Sequence, residues 1–179
     1  EYVHLKNFRN NNLNKYISID GYKYLDQIKK SKKKIVFVSG HFNNFELMAM
    51  QLENMGIDLA AIYRPLNNFF MNKKILNIRL NHICKKQIKK GKGGSRKMLD
   101  YLKNGTSVAL MIDQRLSEGK KVKFFSKPAL TTTIPAQLAL KYECLVIPVY
   151  IERYNKHYFK MKINKPMKFT KDNSLEEIT

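Results

Sequence analysis

Short apolar runs alternate along this chain with segments of helical period, and the rhythm predicts an α/β fold: a mostly parallel or mixed sheet flanked by helices. Ile35-Val36-Phe37-Val38 is an unbroken apolar run preceded by lysines and closed by Ser39-Gly40, the pattern of a strand buried on both faces. From Phe45 the apolar positions Phe45, Met48, Ala49, Leu52 and Met55 keep helical spacing, with Gly56 as the C-terminal cap. Ile57 to Tyr63 reads as a second strand stopped by Pro65, and Met71, Ile75 and Ile78 mark one face of the next helix. Ile83 to Ile88 predicts a further strand, Gly91-Lys92-Gly93-Gly94 a loop, and Met98, Leu99 and Leu102 the inner face of a short helix ended by Gly105. Ser107 to Ile112 is again strand-like, and Lys121 to Phe125 reads as an extended edge segment. Pro135 suits the first turn of a helix carrying Leu138, Ala139 and Tyr142. Cys144 to Ile151 and the alternating Tyr158 to Ile163 then predict two strands paired antiparallel. Helices between strands demand right-handed crossovers. Residues 1 to 19, which include Asn10-Asn11-Asn12, show no period, and no element is assigned there.

Composition narrows the class. A chain of 179 residues fits one domain, residues 1–179, able to bury roughly 70% of its unfolded surface. Hydrophobic residues at 44% exclude a disordered chain, and a mean hydropathy of −0.44 with no apolar run near membrane-spanning length argues against a transmembrane segment. Cys84 and Cys144 cannot form a disulfide framework, which suits a reducing, cytoplasmic compartment, and with four histidines they do not predict a zinc cluster. His82 and Cys84 would share one face of the strand at 83 to 88, as packed residues and not ligands. His4 and His157 fall in unpatterned, exposed segments. The chain opens without Met or a leader, and Leu175-Glu176-Glu177-Ile178-Thr179 reads as an unfinished helix, so an excised piece of a longer protein is expected.

The net charge of +20 draws anionic partners: nucleic acid, anionic headgroups or an acidic carrier protein. Six of the 34 basic residues are Arg and the rest Lys, in runs such as residues 29–34 and 85–90 that also read as solvated faces. Aromatics do not interleave with these runs at base-stacking intervals, so a nucleic-acid module is disfavoured.

In open α/β sheets ligands gather at the carboxyl ends of strands, which directs attention to Ser39-Gly40-His41-Phe42-Asn43-Asn44-Phe45-Glu46. His41 and Glu46 would lie about 140° apart on a regular helix at roughly 100° per residue, so a bend between them is required for contact. If His41 sits on the turn and the helix starts near Asn43 as cap, Glu46 falls in the first turn with its carboxylate near the imidazole. Glu46 would then fix the ring tautomer and leave the other nitrogen to take a proton from a hydroxyl. The plain alternative is a His that caps the turn and a Glu that stabilises the positive helix end.

His41-x4-Glu46, following a strand within Val38-Ser39-Gly40-His41-Phe42-Asn43-Asn44-Phe45-Glu46, resembles the H-x4-D/E motif of the lysophospholipid-acyltransferase-like superfamily, and within it the bacterial lipid A biosynthesis acyltransferases that add secondary acyl chains. Further phrases agree in order: Tyr63-Arg64-Pro65-Leu66-Asn67-Asn68, Arg79, Gly94-Ser95-Arg96-Lys97-Met98-Leu99, Asp113-Gln114, Phe124-Phe125 with Pro128-Ala129-Leu130-Thr131, and Leu138-Ala139 to Ile147-Pro148-Val149. Asn43 stands where that family has Gly, Phe45 where it has Trp, and Ser126 where Gly follows the paired Phe.

The resemblance implies a lysophospholipid-acyltransferase-like fold, with the family's amino-terminal membrane helix and carboxyl-terminal portion lying outside this chain. It implies transfer of a fatty acyl group from an acyl carrier protein thioester to a hydroxyl of an anionic lipid A precursor, with His41 as base and Glu46 as its partner. Arg64, Arg79 and Arg96 are expected to bind substrate phosphate or carboxylate, and Asp113 with Gln114 to position the acceptor. Backbone amides at the start of the His41 helix are expected to serve the oxyanion. No cofactor and no metal are expected. The cytoplasmic face of a bacterial inner membrane is the expected location, the fragment itself being soluble or peripheral. The same chemistry could serve a glycerophospholipid or another sugar lipid, and outside enzymes the chain could be a basic membrane- or nucleic-acid-binding module.

Overall fold

A computed structural model describes residues 2–10, 13–31, 33–91, 93–170 and 172–179. Asn11, Asn12, Lys32 of the lysine run and Lys92 of the expected glycine loop lie outside the described residues. The sheet strands are β1 (Ile17–Asp20), β2 (Ile35–Ser39), β3 (Leu59–Tyr63), β4 (Lys86–Lys89) and β5 (Ser107–Met111), followed, after a separate hairpin of β6 (Lys120–Phe124) and β7 (Lys127–Thr131), by β8 (Leu145–Tyr154) and β9 (Tyr158–Ile163). Helices α1 (Leu5–Arg9), α2 (Tyr22–Ser31), α3 (Phe45–Asn54), α4 (Phe69–His82), α5 (Gly94–Lys103), α6 (Ile134–Tyr142) and α7 (Leu175–Ile178) connect or flank them.

The main sheet has seven strands in the order β1-β9-β8-β2-β5-β3-β4. β8, β2, β5, β3 and β4 run parallel, and β9 pairs antiparallel to β8 while β1 follows β9 in parallel. This is the mixed, mostly parallel α/β sheet that the alternating pattern predicts. The reason is visible at β2, whose Ile35, Val36, Phe37 and Val38 are all buried because both faces are covered. On one face Phe37 packs with Leu47, Leu52, Ile147 and Ile151, and on the other Val36 and Val38 pack with Met98, Leu102, Leu138 and Val146. Burial of that kind contributes about 1.5–3 kcal/mol per large side chain.

Several local expectations change. The segment at 83 to 88 is strand only from Lys86: Ile83 caps α4, its N–H bonding Arg79 O at 2.9 Å, so His82 ends a helix and does not share a strand face with Cys84. Lys121 to Phe125 is not an edge of the main sheet, because β6 pairs with β7 alone, and Pro128 masks β7 in the sequence. The unpatterned start holds α1, whose Leu5 and Phe8 are buried, and β1, whose register follows β9. Helix α2, with Leu25 and Ile28 buried, is hidden in the sequence by its lysines. Helix α7, Leu175–Ile178, opens with a capping box between Ser174 and Glu177.

Candidate active site

Parallel neighbours β2 and β5 are paired Val36↔Val108 to Ser39↔Met111, and the ladder continues with Ile112 N–H to Ser39 O at 2.8 Å. Two residues further on, the same register sets His41 level with Asp113. The imidazole Nδ1 lies 2.8 Å from Asp113 Oδ1, and the His41 backbone N–H donates to Asp113 Oδ2, also at 2.8 Å. Both carboxylate oxygens accept, so Nδ1 is a donor, and in the neutral imidazole the lone pair is on Nε2. Gly40 permits the approach: a Cβ there would stand 2.8 Å from the Phe42 ring and 3.2 Å from Asp113 Cγ. Phe45 packs edge-on against the imidazole at 5.0 Å between centroids. Burial acts to raise the Asp113 pKa, but the His41 backbone and ring hydrogen bonds outweigh it and hold the carboxyl below its ordinary value.

Glu46 takes a different partner from the one its spacing suggested. The bend after β2 is present, with Asn43 in the left-handed region at φ 45°, but α3 starts at Phe45 and Asn44 makes no side-chain cap. Asn43 Oδ1 instead accepts from Arg153 Nε at 3.2 Å. In the first turn of α3, Glu46 Oε1 accepts from Arg79 Nε at 3.0 Å and Nη2 at 2.7 Å, and from the Tyr2 hydroxyl. Arg79 Nη2 also reaches Tyr2 Oη at 3.1 Å, and its guanidinium stacks 5.7 Å from the Tyr63 ring centre. No hydrogen bond or ion pair joins His41 to Glu46 among the described residues. In place of the expected His41–Glu46 contact stand two neighbouring pairs, because the chain just past β5 holds the Asp113 carboxylate against the ring while Glu46 is taken by Arg79 and Tyr2. Burial, then the Glu46 hydrogen bond, push the Tyr2 hydroxyl up to about 12, so it remains a donor. Burial opposes the Arg79 charge, but Glu46 prevails and raises its pKa.

His41, Glu46, Arg64, Arg79 and Gln114 all line one cleft of about 510 Å³, within the roughly 300–1,000 Å³ range of ligand pockets. Its inner wall is apolar, with Phe37, Met48, Leu52, Met98 and Leu110. Arg64, Arg115, Lys89 and Lys90 supply cationic lining. Arg64 and Arg115 are exposed and form no ion pair among the described residues. Of the expected anion-binding arginines, Arg79 is committed to Glu46, and Arg96 is exposed on α5 and does not itself line the cleft, although Ser95 and Met98 beside it do. Tyr2 lies in no sequence motif, and Lys89, Lys90 and Arg115 are legible in the sequence as charges but not as neighbours in a cleft.

Cys84 and Cys144 are buried, and burial pushes their thiols up to about 12 and about 11, so neither offers a thiolate at neutral pH. Among the described residues no three His, Cys, Asp or Glu side chains gather as metal ligands, and no helix is long and apolar enough to cross a membrane. The search of curated proteins finds no match to the chain. The family model for bacterial lipid A biosynthesis acyltransferase matches residues 1–179, the whole chain, and the protein belongs to that family.

Proposed function

We propose that this chain transfers a fatty acyl group from an acyl carrier protein thioester to a hydroxyl of a phosphorylated, acylated sugar, the lipid A precursor, with His41 as general base and Asp113 as its orienting partner. The observation that carries the reading is the His41 Nδ1–Asp113 contact of 2.8 Å, with His41 at the wall of a largely apolar cleft that also carries cationic side chains. Nε2 takes the proton of the acceptor hydroxyl as its oxygen attacks the thioester carbonyl; the carbonyl then re-forms, the C–S bond breaks, and the imidazolium returns the proton to the departing thiolate. Products are an ester and a free thiol, and no acyl-enzyme forms. General-base assistance of this kind contributes roughly 10²–10⁴-fold.

Glu46 serves here by holding Arg79, which with Tyr2 keeps the first turn of α3 and the last turn of α4 together beside His41. The His41 amide is engaged by Asp113, which removes it from the expected oxyanion donors. Arg64 and Arg115 suit the phosphate of an anionic acceptor, since a guanidinium binds it in a two-pronged way. The apolar wall suits the acyl chain. Such an acceptor and donor imply work at the cytoplasmic face of the inner membrane.

The test is incubation of the protein, within its full-length chain, with acyl carrier protein thioester and candidate acceptors, followed by mass analysis of the product. One added acyl chain on the lipid A precursor supports the reading; transfer only to a glycerophospholipid replaces the acceptor. A His41→Ala protein with full activity would remove the base.

A further inference from the structure

Two pairs of aromatic residues stand out of the surface with no counterpart in the core. Phe69 and Phe70 open α4 at 73% and 82% exposure, and Phe124, the last residue of β6, and Phe125 just after it stand at 65% and 87%. In each pair the rings stack edge to face on one another, at 5.8 Å and 4.7 Å, and on no other ring among the described residues. Hydrophobic burial therefore accounts for neither pair.

The hairpin makes the sharper case. Phe124↔Lys127 is its last ladder pair, so the turn consists of Phe125 and Ser126 alone. Their φ angles are 47° and 64°, the doubly left-handed turn that Asn-Gly satisfies best. A bulky side chain is an outlier at positive φ. Phe125 thus opposes the local fold and contacts little inside the molecule, a combination that points to a role outside it.

The roots of both projections belong to the cleft. Leu116, just before the hairpin, and Thr132, just after it, line the cleft, as does Arg64, which opens the loop leading to Phe69. Exposed Lys121, Lys123 and Lys127 surround the hairpin tip, and Lys73 and Lys74 follow Phe70 on α4. Protruding aromatics ringed by ammonium groups match the chemistry of a bilayer interface, where rings enter the acyl boundary and lysines meet anionic headgroups. An acidic protein surface would meet the lysines but would cover the four phenyl rings only by carrying apolar pockets of its own at both places, which a bilayer interface does not need.

We infer that the β6–β7 hairpin tip and the start of α4 insert into an anionic lipid surface and hold the cleft mouth against it. This goes beyond the proposed reaction, because the docking would operate whatever acceptor the cleft takes.

The experiment is sedimentation of the protein with phosphatidylglycerol and with phosphatidylcholine vesicles, with no acyl donor present. Binding to the anionic vesicles, weakened by salt, is expected. Replacing the turn by its favoured sequence, Phe125→Asn with Ser126→Gly, leaves thermal stability unchanged or higher yet lowers partitioning about tenfold, and Phe69→Ser with Phe70→Ser does the same to partitioning. The chain contains no Trp, so Phe125→Trp adds a single reporter whose emission shifts to the blue and is quenched by shallowly brominated lipid chains. Variants that sediment like the parent overturn the inference, as does an indole emission from the Phe125→Trp protein that stays water-like when the protein is bound. Loss of carrier-protein binding with vesicle binding intact also overturns it, assigning the surface to a protein partner.

Discussion

Asp113→Asn tests the site most sharply, because the geometry predicts a tautomer as well as a loss. In the native pair both carboxylate oxygens accept, one from the fixed His41 backbone N–H and one from Nδ1–H, each at 2.8 Å. An asparagine offers one acceptor and one donor group. The backbone N–H cannot change its character, so it takes the amide oxygen and turns the NH₂ toward Nδ1. Nδ1 must then accept, the ring proton moves to Nε2, and the nitrogen facing the acceptor hydroxyl has no lone pair to give. The whole general-base contribution, roughly 10²–10⁴ in kcat or about 3–5 kcal/mol of barrier, is forfeited. Asp113→Ala removes the carboxylate without imposing the wrong tautomer, so the ring is loose but still able to act and kcat falls only about tenfold. The order Asp > Ala > Asn is therefore expected, the isosteric change being the more damaging. Single-turnover acyl transfer measures the rates, and ¹⁵N chemical shifts of the His41 imidazole report which nitrogen is protonated. Equal activity of Asp113→Asn and the parent, or an Nδ1-protonated ring in the Asn variant, would refute the reasoning.

Because the folded Asp113 carboxyl lies below its ordinary value of 3.8, its stabilising contribution is complete above that pH and is lost as pH falls through the folded value; with both side chains more than a third exposed it stays within about 1 kcal/mol, and urea unfolding of parent and Asp113→Asn from pH 7 to 3 should show the difference shrinking in acid. Arg79→Met strands the half-buried Glu46 and should lower stability by about 3 kcal/mol, with Arg79→Lys recovering only part because one ammonium cannot replace both the Nε and Nη2 contacts; Tyr2→Phe should cost about 1–2 kcal/mol and be non-additive with it in denaturant melts. Gly40→Ala brings a methyl to 3.2 Å from Asp113 Cγ and 2.8 Å from a Phe42 ring that can swing into solvent, so kcat should fall about tenfold or more with the melting temperature nearly unchanged. Arg64→Ala should raise KM about tenfold for a phosphorylated acceptor and leave KM for its dephosphorylated form unaltered.

What the amino-acid order alone determined is local. The β-branched run at 35 to 38 with its flanking lysines announced a strand buried on both faces, and Phe45, Met48 and Leu52 announced the helix after it, because backbone period and side-chain burial are properties of a few consecutive residues. The turn carrying His41 was legible for the same reason, as was the chemistry of an imidazole beside carboxylates, but which arginines face the cleft unpaired was not. The partner of His41 was not, since a carboxylate five residues away looks nearer along the chain than one 72 residues away. Only the sheet order, with β5 inserted between β2 and β3, and the register Ser39↔Met111 bring Asp113 level with the ring and leave Glu46 to Arg79 and Tyr2. Strand pairing over long sequence separation depends on how every element packs at once, and no short window of sequence encodes it.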